Sequence, residues 1–237
     1  MSASRTSGAL AIALLLLAGC AESSPDTTTP SPSASSVIDP SIPLETQLQQ
    51  AITTGDASLL ELVLEDYTDL EARLPNGITP LQLAIRSDRS EIVSILIDAG
   101  ASLDNRDGES RTPLMVAAVY AGPETVRILL DAGADPSTTF APDLPSTAWH
   151  FAASAGTVPA MEVLLETQDD IDAQGGFGRT ALYWAAMGGH MEAVEYLLAL
   201  GADPNIREDA GTSPRGWAES NGETEIAEAL AAAGGEL

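Results

Sequence analysis

Apolar positions recur along most of this chain at one long period. Single apolar residues stand at Leu60, Val93, Val126, Met161, Val194 and Ala227. Each is followed, three to four positions on, by a pair: Val63/Leu64, Leu96/Ile97, Leu129/Leu130, Leu164/Leu165, Leu197/Leu198 and Leu230/Ala231. That spacing marks one face of a helix. A second helix precedes each of these. Thr79-Pro80-Leu81-Gln82-Leu83-Ala84 returns as Thr112 to Ala117, Thr147 to Ala152, Thr180 to Ala185 and Ser213 to Ala218, with a worn copy at Thr46 to Ala51. The intervals between these copies are 33, 33, 35, 33 and 33 residues. A fixed period predicts stacked units that share one continuous core, an architecture that presents an extended surface and binds.

Each slot in the unit has a physical role. The Thr or Ser predicts a helix N-cap whose hydroxyl accepts from a free backbone N–H. Pro at the next position loses no hydrogen bond. Gly100, Gly133, Gly201 and Gly234 stand 21 residues after the cap, where they predict a left-handed stop to the second helix. The first and fourth units have Tyr67 and Gln168 there. Two extra residues fall most simply in the loop from Asp135 to Ser146.

These segments resemble the ankyrin repeat. The likeness is strongest from Gly178 to His190 with Leu197 to Asn205, and in Arg111-Thr112-Pro113-Leu114 with Leu129 to Asp135. It implies an all-α solenoid of helix-turn-helix units joined by hairpin loops, about six units over residues 42–237, the outer ones atypical caps. It implies non-catalytic protein–protein binding through the hairpin tips and the exposed side of the first helices. Carried over position by position, the tips are Pro75, Asn76 and Ile78; Glu109 and Arg111; Leu144 and Ser146; Phe177 and Arg179; Ala210 and Thr212. The first-helix positions are Arg86 and Ser87, Val119 and Tyr120, Ser154 and Ala155, Met187 and Gly188. Among these, Ile78, Arg111, Tyr120, Leu144, Phe177 and Arg179 carry the side chains favoured as interface anchors. Trp149, Trp184 and Trp217 are expected in the core.

The first forty residues follow a different pattern. Ala9–Ala18 is a run of ten apolar or small residues after a single Arg. It is shorter than the roughly 20 residues a bilayer span needs and suits the core of a signal peptide over residues 1–19. Leu17-Ala18-Gly19-Cys20 resembles the bacterial lipobox, which implies cleavage after Gly19 and a lipid on Cys20. The alternative is an ordinary cleaved signal with an incidental Cys. Cys20 is the sole cysteine, so no intramolecular disulfide forms. Residues 20–41 then read as the lipidated Cys and a tether: twelve of the fifteen residues from Glu22 to Ser36 are Ser, Thr or Pro. Such a segment buries too little to offset its chain entropy. It would reach on the order of 25 Å as a random coil. It serves as a bare spacer or as an O-glycosylation target.

Charge narrows the partners. The formal net charge is −25, and losing Arg5 with the leader makes it one unit more negative. Nucleic acid and anionic head groups are repelled. All ten basic residues are Arg, which reads as carboxylate recognition or as the codon bias of a GC-rich genome. The acidity serves solubility, or it also selects a basic partner. Chemistry is sparse. His150 and His190 fall in repeat slots and are expected to be structural. Asp169, Asp170 and Asp172 lack the Gly and terminal Glu of a calcium loop. Gly175-Gly176-Phe177-Gly178 fills a hairpin slot and is not a phosphate loop. No catalytic residue, metal site, cofactor or small-molecule substrate is expected. The expected protein is exported and held by lipid at the outer face of the cytoplasmic membrane or at the outer membrane, where it binds a protein. The alternative is an inhibitor or immunity-type protein that masks an exported enzyme.

Overall fold

In the computed structural model the described residues are 38–74 and 77–237. The apolar run, Cys20, most of the tether, Pro75 and Asn76 lie outside them. The described residues hold twelve α-helices in pairs and no named strand. The chain divides into two compact units, one ending at Asp135 and one running from Pro136 to Leu237.

The first unit contains α1 (Leu44–Thr54), α2 (Ala57–Leu64), α3 (Pro80–Arg86), α4 (Ser90–Asp98), α5 (Pro113–Tyr120) and α6 (Pro123–Asp131). Inner helices stack on inner helices, α1 on α3 on α5, and outer on outer, α2 on α4 on α6. Leu48, Ile52, Leu60, Leu81, Ile85, Ile92, Leu96 and Leu129 are fully or almost fully buried between them. The second unit repeats the plan with α7 (Ala148–Ala155), α8 (Val158–Leu165), α9 (Ala181–Met187), α10 (Met191–Ala199), α11 (Pro214–Asn221) and α12 (Thr224–Ala232). Trp149 and Trp184 are 1% and 2% exposed and belong to its core, while Trp217 is half-buried.

The caps work as the sequence predicts. Thr79, Thr112, Thr180 and Ser213 accept from the backbone N–H three residues on, at 3.3, 3.4, 3.2 and 3.0 Å. Gly100, Gly133, Gly201 and Gly234 end the outer helices with φ between 89° and 97°. The fourth pair lacks that Gly; α8 ends at Leu165, and just beyond it the Thr167 hydroxyl donates to the Leu164 carbonyl at 2.8 Å.

The worn first copy departs from the rule. Thr46 lies inside α1, which starts after Pro43 without a side-chain cap. Gln47 does the anchoring: its side chain donates to the carbonyls of Asp39 and Ile42 at 2.8 and 2.9 Å. The longer loop before α7 folds into a small turn. The Phe140 N–H donates to the Ser146 carbonyl at 2.7 Å, and the Phe140 ring lies 5.7 Å from that of Phe151.

Candidate functional site

Four hairpins share one geometry. A backbone N–H donates to the carbonyl four residues on at Leu74/Ile78, Asp107/Arg111, Gly175/Arg179 and Glu208/Thr212, at 2.8–3.1 Å. The residue just before the cap is therefore the closing residue at the hairpin base, not its tip. One side chain clamps each turn. Arg73, Arg106, Gln174 and Arg207 donate to the carbonyls of Gly77, Ser110, Gly178 and Gly211 at 2.6–2.8 Å.

This placement corrects the expected anchors. Ile78 is 7% exposed and Arg111 is 4% exposed, so neither offers a surface to a partner. The Arg111 guanidinium is held by Asp107, with Nε at 3.0 Å and Nη2 at 2.9 Å from one carboxylate oxygen, and Nη2 also pairs with Glu109 at 2.8 Å. Asp107 has no exposed side-chain surface, accepts from the backbone N–H groups of Glu109 and Arg111 at 2.9 Å, and takes a second guanidinium, Arg86, at 3.1 Å. Burial pushes its carboxyl up, but the hydrogen bonds and charge of Arg111 outweigh that and hold it below its ordinary value. Tyr120 is half-buried, with the guanidinium carbons of Arg86 and Arg111 over its ring at 4.9 and 5.5 Å. In the first unit these residues form one cluster rather than separate anchors.

In the second unit Leu144 is half-buried and lies against Gly176, whose N–H donates to the Ser146 hydroxyl at 2.9 Å. Phe177 and Arg179 are half-buried and adjoin one another. The Arg179 guanidinium carbon is 5.0 Å from the Phe177 ring centroid, 5.2 Å from that of Tyr183 and 5.0 Å from that of Trp184. Burial, with Glu208 nearby, pushes the Tyr183 phenol up to about 12, so it stays protonated. Asp107, Glu208 and Tyr183 carry no signal of a site in the sequence beyond the spacing of Asp107, an acid four residues before an Arg, and Arg86, expected on the exposed side of a first helix, is drawn into the Asp107 cluster.

The histidines bridge backbone. His150 Nδ1 accepts from the Thr147 N–H at 3.2 Å, and Nε2 lies 3.0 Å from the Ala173 carbonyl. Gln82, in the same slot, makes the same two contacts, to Thr79 and to Asn105. His190 Nε2 reaches the Ser154 carbonyl at 3.0 Å, and its ring fills the space where a Cβ on Gly156 or Gly188 would stand. Burial lowers the pKa of both rings. Among the described residues no three His, Cys, Asp or Glu side chains converge to hold a metal ion, and no helix is long and apolar enough to cross a membrane.

A family model described as ankyrin repeats (3 copies) matches residues 48–140 and 149–237. The chain belongs to the ankyrin-repeat family. A similar solved structure is the ankyrin repeat domain of Bcl-3, described as a unique member of the IkappaB protein family. It shares 26% identity, covers 80% of this chain and 86% of its own, and superposes with a TM-score of 0.67. A comparison with curated proteins returns no match. Ankyrin repeats are protein-interaction scaffolds, and a protein partner follows from the family.

Proposed function

We propose that this ankyrin-repeat protein is exported, anchored by a lipid on Cys20, and holds a basic protein outside the cytoplasmic membrane. The anchor rests on the Leu17-Ala18-Gly19-Cys20 sequence after a short apolar run. The partner's charge rests on one observation. Eight arginines, Arg73, Arg86, Arg89, Arg106, Arg111, Arg179, Arg207 and Arg215, are each engaged by acceptors of the same chain. Many carboxylates meanwhile face solvent, among them Glu162, Glu192, Glu195, Glu225 and Glu228. A strongly net-acidic surface attracts a basic one over about a Debye length and raises association rates.

The test is crosslinking of the lipidated protein in its own cells, recovery of the partner, and titration at two salt concentrations. Affinity for the recovered protein should weaken as salt rises. A partner that is acidic, or that binds equally at both concentrations, would contradict the charge argument. Fatty-acid labelling should be present in the native chain and absent in Cys20→Ser; labelling that persists in the variant would remove the anchor. Loss of catalytic activity in a captured enzyme would assign masking rather than scaffolding.

A further inference from the structure

Arg111 and Arg179 occupy the same place in two hairpins. Each closes its hairpin with the backbone N–H four residues earlier, at 2.9 Å from Asp107 and 2.8 Å from Gly175. The surroundings of the two guanidinium groups differ. Arg111 has a carboxylate on Nε and on Nη2 at 2.8–3.0 Å. At Arg179 the residue equivalent to Asp107 is Gly175, which carries no carboxylate. No side chain fits there, because a Cβ would stand 2.8 Å from the His150 ring and 2.9 Å from the Ser146 hydroxyl. What remains for Arg179 is weaker, the neutral Tyr183 hydroxyl included. Its Nε is buried without a hydrogen-bond partner. Its Nη1 meets the Met187 sulfur at 3.4 Å, a poor acceptor. Its Nη2 lies 3.5 Å from Glu208, beyond the 2.7–2.9 Å of a good charge-assisted hydrogen bond.

The cation is nevertheless held in place. Phe177, Tyr183 and Trp184 surround it at 5.0–5.2 Å, which orients the guanidinium and partly removes it from water. Phe177 takes a left-handed conformation to do this, φ 62° and ψ 22°, a region that bulky residues disfavour. Its carbonyl accepts from the Asp209 N–H at 2.9 Å, which fixes the turn. The side chain of Arg179 keeps 17% of its surface, against 5% for Arg111. A guanidinium that is fixed, partly desolvated and short of acceptors gains more from an incoming carboxylate than one in water does.

We propose that Arg179, in its cradle of Phe177, Tyr183 and Trp184, receives a carboxylate of the protein partner on the part of its side chain that remains exposed, a counter-charge that Arg111 already finds within the chain in Asp107. The inference rests on the protein-binding reading above and adds the chemistry of one contact. It agrees with a basic partner: the general field draws the partner in, and one contact of reversed sign fixes its register.

The test uses the full lipidated chain in detergent, labelled with nitrogen-15, and follows the arginine Nε–Hε signals. Those of Arg179 and Arg111 are assigned by their loss in Arg179→Lys and Arg111→Lys. The probes are acetyl-Ala-Glu-Ala-amide against its Gln counterpart, for a side-chain carboxylate, and acetyl-tri-Ala as free acid against its amide, for a chain terminus. One or both carboxylate probes should move the Arg179 signal saturably, while their amide counterparts and the Arg111 signal stay still. Which probe acts tells which source the site takes. Glu208→Gln removes the internal competitor and should saturate at a several-fold lower probe concentration. Equal response to the amides, equal movement at Arg111, no movement at Arg179, or unchanged affinity in Glu208→Gln would each overturn the proposal. A crosslinked partner that binds Arg179→Lys as tightly as the native chain would also overturn it, while leaving protein recognition by the repeats intact.

Discussion

Asp107 joins two arginines and two backbone N–H groups around a carboxylate with no exposed surface. Asp107→Asn removes the counter-charge shared by the buried Arg111 and the half-buried Arg86, leaving only Glu109 beside Arg111, and should lower stability by about 3 kcal/mol, measured by urea unfolding; a loss too small to resolve would deny the cluster its structural role. The same depressed carboxyl makes the first unit acid-sensitive. Its stabilisation is present above the unfolded value near 4 and is lost as pH falls through the lower folded value. The second unit should respond earlier. Burial holds His150 and His190 below their ordinary value of 6.5, so the unfolded chain takes up protons first and stability fades as pH falls below 6.5. His150→Gln should keep the backbone bridge, as Gln82 does, and flatten that slope. Hydrogen exchange read between pH 7.5 and 5 checks this, and an unchanged slope in the variant would assign the effect elsewhere.

Among elements, the helices were legible because cap, apolar face and glycine stop agree at one period. Thr79, Thr112, Thr180 and Ser213 cap as read, and Leu129 and Leu197 are fully buried on the outer helices α6 and α10. Leu129→Ala and Leu197→Ala should each cost about 2–5 kcal/mol. Units that contact only their neighbours confine part of the damage, so exchange should rise most in the helices packed against the cavity; a uniform rise would argue for one indivisible fold. The hairpins were less legible. Their apolar and charged residues carry no helical period, so the closing residue of the turn was mistaken for its tip. Ile78 and Arg111 were misplaced for that reason. Thr46 misled differently: spacing placed it in the cap slot, but Pro43 begins the helix earlier and Gln47 ties the preceding chain down.

At the scale of the molecule, charge was read from composition but its distribution was not. Only the contacts show that so many of the few arginines, though several are exposed, bond to acceptors of their own chain, while many carboxylates face solvent. Burial withdraws Ile78 and Arg111 from the six candidates; Tyr120 in the first unit, and Leu144, Phe177 and Arg179 in the second, remain half-buried. The side chains that tie one hairpin to the next have a further consequence. Arg73 donates to the carbonyl of Arg106, 33 residues on, and Gln174 to that of Arg207. Both acceptors are main-chain oxygen, which every amino acid supplies. A copied or exchanged hairpin therefore needs no matching side chain to be fastened to its neighbour. Ancestral duplication could lengthen such a chain, and later drift could rewrite each turn, without a compensating change in the next.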